Sequence, residues 1–270
     1  MQFGCIPSSY DVRDYKIIAT AVALPDTYTC PIEVKVKSQG SVGSCVAHAV
    51  SSILEYHTNA VTSLSTNFIY GIQKQLFNRD HRGMIVREAC KIAAEYGDML
   101  LEDCPGNTEV PKCHDIASEA FADEEKLNKA RNYHISSYFS CSTPEEIKQA
   151  LINYGPVLAS MKWYNTFKVG KDGILTGEQE GEHSYHAIMI YGYTPDGFWC
   201  QNSWGKSWGK GGKFFVPNSI KFVEARGFVD CNGCGNHDDI HVHKRNKVLD
   251  VLYKCINVIV NFFTKLLNKN

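Results

Sequence analysis

The chain has 270 residues, of which 44% are hydrophobic and 21% charged, and its formal net charge is −1. This composition is that of a globular protein long enough to bury a full core, and it excludes a disordered or fibrous chain. Because Lys and Arg balance Asp and Glu, the composition gives no argument for a nucleic acid or a strongly charged partner.

The cysteine count bears on the redox state of the protein. Eleven cysteines is an odd number, so at least one thiol stays outside any internal disulfide. Some of the others can pair, with Cys90, Cys104, Cys113 and Cys141 as candidates, but a mostly reduced protein fits equally well. An apolar run at residues 17–24 follows acidic residues where the basic region of a signal peptide belongs, so we expect a cytoplasmic location.

A loop rich in small residues, 39–44, leads into a helical pattern that begins at Cys45. Apolar residues recur at helical spacing from Val46 onward, which predicts a helix over residues 45–57 with Cys45 in its first turn. A helix N-terminus favours the thiolate, which is the attacking form of cysteine. Gln39 offers a side-chain N–H for an oxyanion. We interpret Cys45 as a nucleophile, with an inert buried cysteine as the alternative.

Further elements follow in two groups. Helices are predicted over residues 64–79, 86–97, 123–131 and 144–154, the last opened by a cap in Ser142-Thr143 with a proline and acidic residues in the first turn. Residues 103–107 are predicted as loop. Beyond Gly155 the pattern changes to strand-like runs at 157–161, 186–191, 198–201 and 213–216, which predict a second lobe rich in β-structure.

Two downstream residues complete a candidate catalytic set. His186 lies at the mouth of an apolar strand, 141 residues after Cys45. Asn202 lies 157 residues after Cys45. Asn202 would hold the imidazole in the useful tautomer, and Trp204 would screen that hydrogen bond from water. His48 lies one turn from Cys45, but we assign it to packing, because the base must approach from an opposing wall to leave room for a carbonyl.

These motifs resemble those of the papain family of cysteine peptidases over about residues 24–230. The matching residues are Gln39, Ser44-Cys45, His186-Ala187, Asn202-Ser203-Trp204-Gly205 and Trp208-Gly209. Val42 and Val46 stand where eukaryotic members usually have cysteine and tryptophan. The chain is therefore most similar to the short bacterial members or to those carried by viruses.

The resemblance implies an α+β, papain-like two-lobed fold, with a helical left lobe, a β-rich right lobe and an active-site cleft between them. It implies a peptidase, with endopeptidase action favoured, in which Cys45 and His186 form a thiolate–imidazolium pair. Gln39 and the Cys45 backbone N–H would form the oxyanion hole. The expected partner is a protein or peptide substrate, and neither a metal nor an organic cofactor is needed. A non-catalytic papain-like module that binds peptides or tethers partners is the alternative, and a cell-wall peptide amidase is a more distant one.

Residues 1–23 form a short leader before the peptidase domain of residues 24–230. This leader is too short for the long helical propeptide of many relatives. Two interpretations stay open. It is either a structural first strand or a short inhibitory propeptide, as in a zymogen, lying in or near the cleft with residues 10–15 as its anchor.

Beyond residue 230 the resemblance stops. Residues 231–245 form a linker with Cys231, Cys234 and three histidines, but the histidine spacing is irregular, so we expect a disulfide or a solvated loop rather than a metal site. Residues 246–270 predict an amphipathic helix whose uncharged run, 255–264, is too short to span a bilayer. We expect it to bind a membrane surface or a partner protein, with packing on the peptidase domain as the alternative.

Overall fold

The computed structural model describes residues 3–12, 14–17, 23–59, 61–78, 83–107 and 109–230. These residues belong to the first of the two units into which the chain divides, Met1–His237 and Asp238–Asn270. The predicted linker and the predicted C-terminal helix lie outside the described residues. Within the described ranges, no helix is both long enough and apolar enough to cross a membrane.

The part of the described chain before Gly155 is mainly helical. Its helices are α1 (Cys45–His57), α2 (Thr66–Gly71), α3 (Gln73–Phe77), α4 (Val86–Glu95), α5 (Val110–Ala122), α6 (Glu124–Ala130) and α7 (Pro144–Tyr154). The predicted helices over 45–57, 86–97, 123–131 and 144–154 are confirmed to within two residues at each end. Of the predicted capping stretch, Thr143 is the residue whose side chain caps α7, accepting from the Glu146 N–H at 3.1 Å.

Two helical predictions need correction. The helix predicted over 64–79 is divided at Ile72 into α2 and α3. Next to this break, Gly71 lies so close to α5 that a Cβ there would come within 2.4 Å of the Cys113 carbonyl oxygen. No helix is predicted for α5, which is opened by a proline in its first turn and buries mainly small residues such as Ala117 and Ala120. Small side chains give only a weak helical hydrophobic pattern.

The second half of the described chain forms most of a seven-stranded sheet. The strands of the described chain are β1 (Cys5–Ile6), β2 (Tyr28–Thr29), β3 (Met84–Ile85), β4 (Ile135–Ser140), β5 (Val157–Tyr164), β6 (Lys168–Val169), β7 (Leu175–Thr176), β8 (His183–Thr194), β9 (Gly197–Gln201), β10 (Lys213–Pro217) and β11 (Phe222–Asp230). The large sheet runs β10-β9-β8-β5-β11-β4 with β2 beside β8, and its pairs are antiparallel. The four predicted strand runs fall in β5, β8, β9 and β10, and the predicted α+β class is confirmed.

Helix α1 is buried from Cys45 through Glu55, although its sequence is amphipathic. Its polar residues are accommodated by internal partners. Ser51 donates to the Asp98 carboxylate at 2.6 Å, and the Glu55 carboxylate forms an ion pair with Lys37 at 2.9 Å. Because buried polar groups are tolerated only when they are paired, these contacts let α1 pack on several sides at once.

The relative positions of α1, β8 and β9 create the candidate site. Ala187 and Met189 of β8 belong to the same apolar cluster as the first turns of α1. His186 lies in the first third of β8, and Asn202 directly follows the end of β9. The N-terminus of α1 therefore faces the part of the sheet that carries both predicted partners of Cys45.

Candidate active site

Cys45 is the first residue of α1 and is completely inaccessible to solvent, with 0% exposure. The loop before it is fastened to the sheet side, because the Gln39 N–H donates to the Ser203 carbonyl at 2.8 Å. The Val42 N–H donates to the Gln39 carbonyl at 3.1 Å and closes a turn. The backbone N–H of Ala187, the residue after His186, hydrogen-bonds to the Cys45 thiol. Cys45 therefore lies directly against β8.

His186 has a defined tautomer. Its Nε2 lies 2.8 Å from the Asn202 Oδ1 atom. That oxygen also accepts the Ser203 backbone N–H at 2.7 Å, which fixes the amide with its oxygen toward the ring. Nε2 must then carry the hydrogen, and Nδ1 is left with a lone pair. Nδ1 has no hydrogen-bond partner in the described part of the chain, so it is the nitrogen available to take the Cys45 proton.

Indole rings enclose the imidazole. Trp204 stacks on His186 with 4.5 Å between ring centroids and 25° between planes. Trp163 of β5 meets His186 edge to face at 5.6 Å and contacts Trp204 at 4.9 Å. Trp204 therefore lies where it can screen the His186–Asn202 hydrogen bond from water. Trp163 was not identified from the sequence, because nothing in its strand pattern distinguishes a site residue from a core residue.

Gln39 is held by both ends of its amide. Its Nε2 donates to the Val42 carbonyl at 2.9 Å, and its Oε1 accepts the Ser203 hydroxyl at 2.6 Å. The side chain is almost fully buried beside the loop that leads to Cys45. An amide nitrogen has two hydrogens. The bond to Val42 uses one of them and fixes the direction of the other.

His48, the rival base, is bound within its own helix turn. Its Nδ1 lies 2.9 Å from the Ser44 carbonyl oxygen and 3.2 Å from the Ser44 hydroxyl. Burial lowers its pKa to about 4, so it stays neutral at physiological pH. These contacts support the assignment of His48 to packing.

The leader covers the candidate site. Phe3 meets the His186 ring edge to face at 5.7 Å and the Trp204 ring at 5.9 Å. The next residue, Gly4, lies against Gly43 so closely that a Cβ on Gly4 would come within 1.9 Å of the Gly43 carbonyl oxygen. The Gly4 N–H hydrogen-bonds to the Cys45 thiol. The first described residues of the chain thus lie on the nucleophile and the base together.

Main-chain pairing holds the leader beyond this point. The Gly4 carbonyl accepts the Met84 N–H at 2.8 Å, and β1 then pairs in parallel with β3. The Ser8 N–H donates to the Glu224 carboxylate at 2.9 Å. The leader therefore runs as an extended strand from the His186 side of Cys45 to the edge formed by β3.

An ion-pair cluster anchors the far end of the leader. Asp14 accepts from Arg87 at 2.6 Å and from Arg226 at 2.8 Å, and the side chain of Arg226 is only 4% exposed. Burial alone would raise the pKa of Asp14, but the two guanidinium groups outweigh this effect and lower it. Asp14 falls in the segment 10–15 that the sequence indicated as an anchor. The arginines that receive it are distant in sequence and were not identified.

The covered site holds its catalytic pair uncharged. Burial raises the pKa of the Cys45 thiol to about 11, even though the N–H groups of Ala187 and Gly4 act in the opposite direction. Burial also lowers the pKa of His186 to about 4, although Asn202 partly offsets it. The sequence predicted that the helix N-terminus favours the thiolate. In this covered state the loss of hydration outweighs the helix effect.

No disulfide and no metal cluster forms within the described ranges. The cysteines there, including the candidates Cys90, Cys104, Cys113 and Cys141, are free. The same ranges contain no group of three or more His, Cys, Asp or Glu side chains that could hold a metal ion. The Cys/His linker of residues 231–245 lies outside them.

Comparisons with a family model and with known proteins point to the same family. The family model described as papain family cysteine protease matches residues 25–235. A viral cathepsin from Adoxophyes honmai nucleopolyhedrovirus is 27% identical over 196 residues, which cover 68% of this chain and 54% of that protein. A cysteine protease from Blomia tropicalis is 26% identical over 257 residues, covering 84% of this chain and 66% of that protein. The chain thus matches less than two thirds of the length of these curated relatives.

A solved structure shares the fold of this chain over most of its length. Xylellain, a cysteine protease from Xylella fastidiosa, is similar with a TM-score of 0.71 and 21% identity, covering 84% of this chain and 96% of that chain. This match bears out the papain-like fold predicted from the motifs. A viral member is among the relatives, in agreement with the interpretation of the cysteine motif.

Proposed function

This chain belongs to the papain family of cysteine proteases, and we propose that it hydrolyses peptide bonds in proteins or peptides as an endopeptidase. One observation carries the proposal. His186 donates to Asn202 beneath Trp204, and the thiol of Cys45 accepts the N–H of the neighbouring Ala187. This is the nucleophile, base and orienting group that cysteine-dependent acyl transfer requires.

The proposed reaction starts once the leader leaves the cleft. His186 Nδ1 takes the Cys45 proton, and the thiolate attacks the substrate carbonyl carbon to form a C–S bond. The second Gln39 Nε2 hydrogen and the Cys45 backbone N–H stabilise the oxyanion. The C–N bond then breaks, and His186 protonates the leaving amine. A water molecule, deprotonated by His186, attacks the thioester, releases the carboxylic acid and restores the thiol.

The course of the leader supports cleavage within a chain. Phe3 lies on the His186 side of Cys45, and Ile6 pairs with Ile85 on the other side. The groove thus accommodates polypeptide on both sides of the nucleophile. An endopeptidase needs such a groove, because its substrate continues in both directions from the cleaved bond.

We further propose that the leader is an inhibitory segment and that the described form is latent. The backbone groups that the leader presents to Cys45 do not suit attack by the thiolate on a carbonyl carbon. At Cys45 the leader places the Gly4 N–H on the sulfur, whereas the Gly4 carbonyl is turned away and bonded to Met84. The Gly4 carbonyl therefore does not meet the thiol as the carbonyl of a scissile bond would, so at Gly4 the leader occupies the cleft without being a substrate. This favours the inhibitory interpretation over a purely structural first strand.

The test compares the full chain with Gly4→Ala, which opposes docking of the leader, and with the double variant Gly4→Ala/Cys45→Ala. We expect Gly4→Ala to hydrolyse a quenched-fluorescent protein substrate and to be labelled at Cys45 by an epoxide-type thiol reagent. The double variant should do neither. If Gly4→Ala is labelled at Cys45 but cleaves no substrate from a diverse peptide library, the peptide-binding module replaces the peptidase.

The C-terminal segment carries a separate proposal, supported by its sequence pattern. We propose that residues 246–270 bind a membrane surface, with a partner protein as the alternative, and that the protein is cytoplasmic. The free thiols of the described residues are those expected in a reducing compartment. Flotation with anionic vesicles, comparing the full chain with one that ends at residue 245, tests the membrane role. Equal flotation of the two would overturn it.

A further inference from the structure

A second thiol lies in the cleft, and the proposed mechanism does not use it. Cys5 of the leader directly follows the glycine that covers the nucleophile. Only 6% of its surface is exposed, and it belongs to the same apolar cluster as Cys45. Burial of a cysteine is usually a packing feature. Here its neighbour is the reactive sulfur of the site.

Cross-strand register brings the two thiols close together. Cys5 lies against Ser160 of β5, and the Cys45 thiol accepts the Ala187 N–H of β8. Ser160 and Ala187 are direct partners in the antiparallel β5–β8 pair. Directly opposed residues have Cα atoms about 4.5–5.5 Å apart. The two sulfurs thus contact adjacent positions on the sheet, and Cys5 is close enough to feel the charge of Cys45.

The main chain at this point also suits a cross-link. Gly4 contacts Gly43, two residues before Cys45, and Cys5 is one residue further along the leader. A disulfide needs Cα atoms about 4.4–6.8 Å apart. The closeness of Gly4 to the loop allows Cys5 and Cys45 to reach this spacing by a small movement of the leader, which is held by only two residues of β-pairing at this point.

We propose that Cys5 is the disulfide partner of Cys45, so that an oxidising thiol pool converts the docked leader into a covalent latch on the nucleophile. The proposal rests on the proposed function only in taking Cys45 as the reactive thiol. It adds a modification site in the leader and names the reagent class, a low-molecular-weight disulfide such as oxidised glutathione.

The chemistry balances in two exchanges. In a molecule whose leader has briefly lifted, the Cys45 thiolate attacks oxidised glutathione, forming a mixed disulfide and releasing one glutathione thiolate. When the leader docks again, the Cys5 thiolate attacks the Cys45 sulfur and expels the second glutathione. Two protein thiols are oxidised, and one glutathione disulfide is reduced to two thiols. A reducing pool reverses both steps.

The docked, reduced form is slow to enter this sequence. Burial raises the pKa of Cys5 well above its ordinary value and that of Cys45 to about 11. Because the thiolate is the species that exchanges, the latch closes from molecules whose leader is transiently free. The expected rate of latching therefore follows the lifting of the leader.

The experiment incubates the full chain with oxidised glutathione, blocks remaining thiols and maps the peptides by mass spectrometry. We expect a peptide linked through Cys5 and Cys45 in the wild type, and its loss after dithiothreitol. The matched control is Cys30→Ser, which removes another buried free cysteine and should leave the link intact. In Cys5→Ser the link should be replaced by glutathione on Cys45, and in Cys45→Ser by glutathione on Cys5.

Two results would overturn the latch. They are a wild type that carries glutathione on Cys45 without the linked peptide, or one in which Cys5 pairs with a different cysteine. Thermal unfolding of each variant shows whether a missing link reflects an unfolded chain. The linked peptide is read by mass whether or not the protein turns over substrate. A failed peptidase assay on reduced Gly4→Ala therefore counts against the proposed function alone.

Discussion

Substitution of Gly4 by alanine tests whether the leader controls access to the site. The backbone of Gly4 does not have a positive φ, so alanine causes no backbone strain of its own at this position. Its Cβ would lie 1.9 Å from the Gly43 carbonyl oxygen and 2.5 Å from the Gly43 Cα. Both atoms are backbone in the loop before Cys45, so the leader must move away.

The structure sets the scale of the effect. Forcing one extra carbon into a packed site typically costs about 1–3 kcal/mol. The upper end applies here, because no flexible side chain is available to yield. A cost of about 3 kcal/mol on docking shifts the equilibrium between covered and open cleft roughly 100-fold toward the open form. The folded peptidase domain is otherwise unchanged.

The assay is the rate at which an epoxide-type reagent labels Cys45 in the full chain, with the initial rate of peptide hydrolysis measured in parallel. We expect both rates to rise by roughly 100-fold in Gly4→Ala. Gly106→Ala is the matched control, because a Cβ there has no atom within 4 Å. If labelling of Gly4→Ala stays within twofold of the wild type while Gly106→Ala behaves normally, the leader does not restrict access.

Four further outcomes are expected. In the Gly4→Ala background, Asn202→Ala should lower kcat/KM roughly 10- to 150-fold, because the imidazolium loses a hydrogen bond worth about 1.5–3 kcal/mol; an unchanged value would contradict the tautomer argument. Gln39→Ala in the same background should lower kcat about 100- to 1000-fold with KM little altered, as for loss of one oxyanion donor; a change in KM alone would remove Gln39 from the oxyanion hole. Asp14→Asn should raise the labelling rate of the full chain about tenfold or more, because Arg87 and Arg226 lose the charge-assisted hydrogen bonds that hold the leader; Asp172→Asn, on the loop before β7, should not, because within the described residues its side chain accepts only the Ile174 N–H. Acid should also open the cleft. Burial lowers the pKa of His186 from 6.5 to about 4, and the leader contributes to that burial through Phe3, so docking weakens as pH falls through this window, by at most about tenfold per pH unit. The ratio of the labelling rates of wild type and Gly4→Ala, measured from pH 7 to 4, checks this, and a constant ratio would contradict it.

The features that could be predicted from the sequence are those that follow from regular hydrophobic patterns in single helices and strands. The helical pattern after Cys45 and the apolar run after His186 fix the direction of each element, and the structure brings Cys45, His186 and Asn202 together. Helix α5 was not predicted, because its buried residues are two alanines, a cysteine and a histidine, which give only a weak hydrophobic pattern. The position of the leader over Cys45 and His186 could not be predicted from the sequence either. Phe3 is a single aromatic residue with no motif around it. Strand β1 is only two residues long, and it forms by pairing with Met84 and Ile85, which lie far along the chain.

The covered cleft also has a consequence for how the protein responds to its own concentration. The leader is part of the same chain, so its local concentration at Cys45 is fixed by the connecting segment and does not fall on dilution. Tethers of this kind give effective concentrations in the millimolar range. A free peptide at micromolar concentration competes poorly with such a neighbour. Latency should therefore be equal in dilute and in concentrated samples of the protein. Cleaving the leader from the chain, or weakening its contacts, should activate the protein more effectively than adding more substrate.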